Sequence, residues 1–243
     1  MIDLRLPMKR LLLPFLLICN APALAQSLTL SDIFDRPPVV NASIPKPEEV
    51  TGVRVGERHW YHYEIVNYLD ALAEASPRMV ALGEHARSYG GRPLVSYALS
   101  TSENLARLDE IKRARSAIID PEADVDLTTQ PAVLHMMYSI HGNEPSGANA
   151  TPLVAYYLNA VLDDALLAQL EDVVIIFNPM LNPDGLDRFA YWSNAHRGVN
   201  PDLERNDREH VQSLQNGGKT SKSFEETRGW LPHQQPVGLG GMA

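Results

Sequence analysis

A histidine and a glutamate stand three residues apart in the middle of the chain, as His141 and Glu144 of the segment His-Gly-Asn-Glu. An imidazole nitrogen and a carboxylate oxygen are two of the ligand types that a catalytic zinc ion takes from a protein. Two ligands that each lie about 2 Å from one zinc ion must have donor atoms about 3–4.5 Å apart. Because the pattern H-x-x-E is short and frequent, its place among the secondary-structure elements decides its meaning.

The segments around this pair predict a turn between a strand and a helix. Residues 132–140 form a short apolar run, which is typical of a buried parallel strand. Gly142 and Asn143 supply a turn, and a helical stretch is predicted over 148–170. This order places both side chains at the carboxyl end of a central strand, where open α/β sheets bind ligands.

A second buried strand is predicted over 172–177, and the chain then reaches Asn182-Pro183-Asp184-Gly185. Asn-Pro and Asp-Gly steps are turn signals, so we expect a turn after this strand. With this second motif the chain resembles the zinc carboxypeptidase family of the carboxypeptidase A and B type. In that family an H-x-x-E turn and a strand ending in N-P-D-G occur in this order and at about this distance.

The resemblance covers residues 50–220, and three further segments match one secreted bacterial branch of the family. These segments are Asp187-Arg188-Phe189, Trp192 and Asn206-Asp207-Arg208-Glu209-His210. The resemblance implies that His141 and Glu144 are the first two ligands of a Zn²⁺ cofactor and that the substrate is a peptide or a peptide-like amide. It also implies an α/β fold with a mixed, largely parallel sheet flanked by helices, here incomplete.

The remaining parts of a zinc peptidase are not identified in this sequence. The family takes its third ligand, a second histidine, and its general base, a glutamate, from strands far beyond the first pair. His196 and His210 have the sequence context of loops, His233 lies in the tail, and His135 lies too far back along its strand to share the zinc. The resemblance therefore assigns no third ligand and no catalytic glutamate to this chain.

Two arginines are candidates for binding a substrate carboxylate, Arg188 and Arg228. A guanidinium group suits this task because its planar fork matches a carboxylate or an oxyanion. A solvated loop arginine is the alternative for Arg188, and Arg197 is its rival for the same role. Arg228 lies in F-E-E-T-R-G-W where the family branch has F-D-L-N-R-D-W, so Thr227 and Gly229 depart from the motif.

Composition restricts the class of protein. The formal net charge is −9 and the sequence pI is about 5.3, which argues against nucleic-acid binding because that function needs a basic surface. The 44% hydrophobic and 21% charged residues are ordinary for one soluble globular domain.

Residues 1–25 have the pattern of a secretory signal peptide. Lys9-Arg10 precede the apolar run 11–18, and Ala23-Leu24-Ala25 provides a cleavage site. The apolar run is too short to span a bilayer. We expect export to the periplasm or the medium after cleavage near Ala25, and the single cysteine, Cys19, would be removed with the signal.

The chain divides into four predicted segments. They are the signal peptide 1–25, a linker or strap 26–50, the N-terminal part of a zinc carboxypeptidase domain 51–220, and a divergent tail 221–243. Within the domain we predict helices over 61–76 and 104–119 and a hairpin of two strands over 79–86 and 94–100.

Three hypotheses for the function follow. The first is a zinc metallocarboxypeptidase that is truncated and has low or no activity, with an apolar sheet edge left exposed. The second is a zinc amidohydrolase of the aspartoacylase or desuccinylase type, which shares the H-G-N-E turn, although the N-P-D-G segment and the signal peptide favour the peptidase. The third is a non-catalytic remnant or binding module.

Overall fold

A computed structural model of the protein describes residues 28–124, 126, 128–198 and 202–211. The predicted signal peptide with its cleavage site and Cys19, and the predicted tail over 221–243, lie outside the described residues. Among the described residues, no helix combines the length and the apolar character needed to cross a lipid bilayer.

The described residues form short helices around one sheet. The helices are α1 (Leu30–Ile33), α2 (Pro47–Thr51), α3 (His62–Ala75), α4 (Ser102–Ala106), α5 (Leu108–Ala117), α6 (Ser146–Ala160), α7 (Asp164–Glu171) and α8 (Pro183–His196). The strands are β1 (Met79–Arg87), β2 (Pro93–Leu99), β3 (Ala132–Met137) and β4 (Val173–Asn178).

The four strands lie side by side in the order β1-β2-β4-β3. β1 and β2 form an antiparallel hairpin, β2 pairs antiparallel with β4, and β3 pairs parallel with β4 from Ala132 opposite Val173 to Met137 opposite Asn178. The mixed α/β sheet flanked by helices is therefore confirmed. Its parallel share is smaller than expected within the described residues, because the hairpin joins β4 in the antiparallel sense.

Most predicted elements are present, and two predicted helices are each divided in two. Arg107 leaves the helical conformation with ψ 22°, which separates α4 from α5. Val161 leaves it with ψ 132° and forms an isolated bridge with Val40, which ends α6. Asp163 then begins α7, because its side chain accepts a hydrogen bond from the Leu166 N–H at 2.9 Å.

The main core lies between the sheet and α3 and α6. Its fully buried members are large, and they include Trp60, Tyr68, Leu69, Tyr97 and Phe177. A smaller cluster on the opposite face of the sheet packs Ala98 and Val174 against Ile111 of α5. The sheet is thus covered on both faces near β2 and β4, which fixes the strand that precedes the N-P-D-G segment.

The strand that leads to His141 lies at an edge of the described sheet. β3 pairs with β4 on one side, and five of its six residues are exposed, including Leu134 at 50% and Met137 at 43%. The prediction of a buried, central strand is wrong for the described residues. An apolar sequence shows that a strand is able to be buried, but it does not show which elements cover it.

Candidate metal site

His141 and Glu144 lie on one turn that follows β3. The turn is closed by a hydrogen bond from the Glu144 N–H to the His141 carbonyl at 3.1 Å. The Nδ1 atom of His141 lies 3.3 Å from Oε2 of Glu144, within the separation that two ligands of one zinc ion require. The side chains are 33% and 70% exposed, so a metal ion is able to reach both donor atoms from solvent.

Ser139 fixes this turn between the strand and the next helix. Its hydroxyl donates to the Glu144 carbonyl at 3.2 Å and accepts from the Ala148 N–H of α6 at 2.9 Å. Its φ is 47°, a backbone conformation that is unfavourable for a residue with a β-carbon and persists where surrounding contacts impose it. This role of Ser139 was not predicted, since serine is common in turns of every kind.

The N-P-D-G segment is the first turn of α8. Pro183 is the first helical residue, and the Asn182 side chain caps the helix by accepting from the Gly185 N–H at 2.9 Å. Residues 179–182 form the short connection that was expected after β4, but Pro183, Asp184 and Gly185 belong to the helix. Asparagine followed by proline is a turn signal, but the same pair also suits a helix N-cap and its first residue.

The two motifs meet through their backbones. A β-carbon placed on Gly142 would lie 1.9 Å from the carbonyl carbon of Gly185, so only glycine allows this approach. The chain after β3 and the chain after β4 also pair beside this contact. There the Leu181 N–H donates to the Tyr138 carbonyl at 2.9 Å. The turn of residues 141–144, which carries both candidate ligands, is called the metal turn below, and its position depends on the first turn of α8.

That first turn of α8 is anchored by two carboxylates that the sequence analysis did not single out. Asp184 is 3% exposed and accepts hydrogen bonds from Ser88 Oγ at 2.7 Å, Gly90 N–H at 2.9 Å and Arg92 Nη1 at 2.8 Å. Arg92 Nε donates to Asp187 Oδ2 at 2.5 Å. The β1–β2 turn is thus tied to α8.

The other oxygen of Asp187 connects this region to α3. Asp187 Oδ1 accepts from the His62 N–H at 2.7 Å, and His62 Nε2 lies 2.8 Å from the Pro93 carbonyl. Burial lowers the pKa of His62 below its ordinary value, although the bond to Pro93 opposes this shift. His62 is therefore a neutral donor to Pro93 at neutral pH.

The candidate substrate arginines occupy different settings. Arg188 is half-buried in α8 and not in a loop, because the helix begins at Pro183. Arg197 follows the helix, and its Nη1 donates to the Glu57 carbonyl. Arg228 lies outside the described residues. The role of Arg188 in substrate binding stays a prediction.

Among the described residues, none of the candidate third ligands joins the pair in a metal-binding group. His196 is the last residue of α8, not a loop residue, and its Nδ1 lies 2.8 Å from the Trp192 carbonyl. His210 contacts the Asp202 carbonyl and His135 contacts the Asn178 side chain, while His233 lies outside the described residues. Within the part of the chain that the structure describes, no three histidine, cysteine, aspartate or glutamate residues group around one point.

The two candidate ligands are of the types that zinc binds, but they are too few for a catalytic zinc site. Zinc takes imidazole nitrogen and carboxylate oxygen, and catalytic sites use three protein ligands and an open position. Among the described residues the structure brings together only the two candidate ligands, His141 and Glu144.

Comparison with solved structures finds several similar chains, two of which are described below as carboxypeptidases. Carboxypeptidase A from Helicoverpa armigera is 20% identical, with 60% of this chain and 29% of that chain covered and a TM-score of 0.39. A metallo-carboxypeptidase from Burkholderia cenocepacia is 13% identical, with coverage of 76% and 37% and a TM-score of 0.41. Bovine thrombin-activatable fibrinolysis inhibitor, in complex with tick carboxypeptidase inhibitor, is 16% identical, with coverage of 76% and 55% and a TM-score of 0.40.

The chain thus spans between 29% and 55% of the lengths of these three structures. Comparison with curated proteins gives no match. The model of one protein family, described as zinc carboxypeptidase, matches residues 65–238, which is more than half of the chain and includes both motifs. The chain belongs to the zinc carboxypeptidase family.

Proposed function

We propose that His141 and Glu144 are two zinc ligands of a metallocarboxypeptidase site that acts on C-terminal peptide or peptide-like amide bonds. The 3.3 Å separation of His141 Nδ1 and Glu144 Oε2 is the observation on which the proposal rests. Membership of the zinc carboxypeptidase family supports the choice of metal and of reaction, and favours a peptidase over the aspartoacylase type of amidohydrolase. Export after cleavage near Ala25 is part of the same proposal.

The two donor atoms would hold the metal from one side, with the turn backbone fixed by Ser139 and by the contact of Gly142 with Gly185. Zinc bound there would polarise a scissile carbonyl and lower the pKa of a bound water to about 7. Arg188 is the residue that we assign to the substrate carboxylate, since a half-buried guanidinium gains strength from reduced solvation.

The chain of 243 residues should hold zinc weakly and show low or no turnover. Two protein ligands are one fewer than a catalytic zinc site uses, and the described residues include no group of three donors. No general-base glutamate has been identified, and the lack of a general base alone costs about 10²–10⁴-fold in rate. A non-catalytic role for this chain is compatible with the same observations.

Zinc titration of the full chain and of three variants tests the proposed ligands. His141→Ala and Glu144→Gln each remove one donor, and both should weaken zinc binding by about tenfold or more. His85→Ala is the matched control, because His85 is a half-buried histidine of β1 that bonds Ser96 Oγ at 2.9 Å. The control should keep the affinity of the unaltered chain.

One result would contradict the proposed ligands, and another would contradict the expected weak binding. If the variants at 141 and 144 bind zinc as well as the control does, the metal binds elsewhere. If the unaltered chain keeps one zinc per molecule through dialysis, a third ligand exists, and His196→Ala, His210→Ala and His233→Ala would show which histidine supplies it.

A further inference from the structure

We propose that Arg92 is a positioning residue for the metal turn, acting through Asp184, Asp187 and the Gly185–Gly142 contact. These three charged side chains are called the arginine cluster below. The inference rests on the proposed function, since it concerns how His141 and Glu144 are held. None of the three residues contributes a ligand, and their effect reaches the ligands through the backbone of α8.

Arg92 joins two carboxylates that stand on the same turn of one helix. Nη1 binds Asp184 and Nε binds Asp187, so a single guanidinium joins two residues that are three positions apart in α8. The Asp184 carboxylate is 1% exposed, and a carboxylate that is buried this deeply needs a charged partner and full hydrogen bonding. Arg92 is therefore the charged partner that keeps the Asp184 carboxylate, and with it the first turn of α8, in place.

The hairpin turn that carries Arg92 is shaped for this contact. Ser88 Oγ donates to Asp184 and accepts from the Arg92 N–H at 3.1 Å, which fixes the backbone of the turn at the carboxylate. A β-carbon at Gly90 would lie 2.4 Å from Asp184 Oδ1, so the close approach requires a glycine there. The carboxylate is held from three directions, and helix α8 cannot shift without breaking these bonds.

The contact from this helix to the metal turn is direct. Gly185 follows Asp184, and its carbonyl carbon is the atom that a β-carbon on Gly142 would approach to 1.9 Å. Gly142 directly follows His141 and precedes Asn143 and Glu144. The backbone atoms of Gly142 and Gly185 are in close contact, so they cannot move independently. Loss of the cluster lets the first turn of α8 move, and the turn that presents both ligands then loses its support.

Amide hydrogen exchange of the zinc-free chain of 243 residues tests the inference without requiring metal or activity. Arg92→Met removes the charge and both bonds, and exchange in a peptide covering 139–147 should become about tenfold faster, as expected for local loosening. Arg92→Lys keeps the charge but cannot span both carboxylates, so it should give a smaller increase.

Arg58→Met is the matched control. Arg58 is also a partly buried arginine that binds a buried carboxylate, with its hydrogen bonds going to His59 and Glu64 at the start of α3. Its loss should lower the overall stability. Amide exchange in 139–147 should then become faster only by the amount that this global change explains. A role of Arg92 in general stability alone would make the two variants behave alike.

Zinc titration of the same proteins separates this inference from the proposed function. If exchange in 139–147 is selectively faster in Arg92→Met and its zinc affinity is reduced about tenfold, the positioning role and the proposed function are both supported. Selective loosening in a chain whose unaltered form binds no zinc supports the positioning role and contradicts the proposed function. Exchange in 139–147 that is equal for Arg92→Met and Arg58→Met overturns the positioning role. If Arg92→Met does not fold, Arg92→Lys gives the same comparison, and equal exchange again overturns it.

Discussion

Replacement of Gly142 by alanine perturbs the contact on which the position of the metal turn depends. The added β-carbon would lie 1.9 Å from the Gly185 carbonyl carbon, 2.3 Å from its oxygen and 2.4 Å from its Cα. Contacts of a β-carbon below 3.0 Å essentially do not occur, so the turn and α8 must separate by about 1.1 Å. Metal–ligand distances vary by only about 0.2 Å, so a shift of this size disturbs the site.

The energetic cost follows from the same geometry. Forcing a group into filled space costs about 1–3 kcal/mol, which for a domain of this size lowers Tm by about 2–12 °C. Thermal unfolding of the zinc-free chain, followed by circular dichroism, measures this change. Zinc titration of the same variant should show weaker binding, although both ligands are unchanged.

Gly147→Ala is the matched control for this substitution. A β-carbon there would lie 3.3 Å from Tyr138 Cδ1, a tight contact that a small adjustment relieves, and alanine favours the helix over glycine. Its Tm should stay within about 3 °C of the unaltered chain. A Gly142→Ala chain with unchanged Tm and zinc affinity would refute the backbone contact between the two motifs.

Three further predictions concern the helix cap, pH and turnover. Asn182→Ala removes the side chain that binds the Gly185 N–H and should cost about 1–2 kcal/mol in urea unfolding. Burial lowers the pKa of His62 below 6.5. Its contribution to the free energy of unfolding is therefore present above pH 6.5 and is lost as the pH falls through its folded-state pKa. The urea midpoint should fall on acidification, and it should fall less in His62→Gln. The chain of 243 residues should show no carboxypeptidase turnover on peptides with a free C-terminus, with or without added zinc, and zinc-dependent release of C-terminal residues that a chelator abolishes would contradict this.

Local patterns in the sequence predicted the elements that depend on neighbouring residues. The helix over 61–76 follows from the spacing of Ile65, Leu69 and Leu72, all of which are buried, and the hairpin follows from Gly90-Gly91 between two apolar runs. The separation of the two proposed ligands is also local, because one turn of four residues determines it.

The features that the sequence analysis missed depend on distant parts of the chain. β3 has the composition of a covered strand, and its exposed position depends on which elements lie beside it. The bond between Arg92 and Asp184 joins residues 92 positions apart, and a charged pair at that distance leaves no periodic pattern. The cap role of Asn182 was not predicted because a turn and a helix cap favour the same residue types.

The location of bound zinc tests the central claim most directly. Crystals of the chain soaked in zinc and measured at the zinc absorption edge would show the metal as a peak of anomalous scattering. We predict one peak about 2.0–2.2 Å from His141 Nδ1 and from Glu144 Oε2, since those are the distances of zinc to nitrogen and carboxylate ligands. A peak bound by other residues, or no peak at this turn at saturating zinc, would contradict the assignment of His141 and Glu144 as zinc ligands.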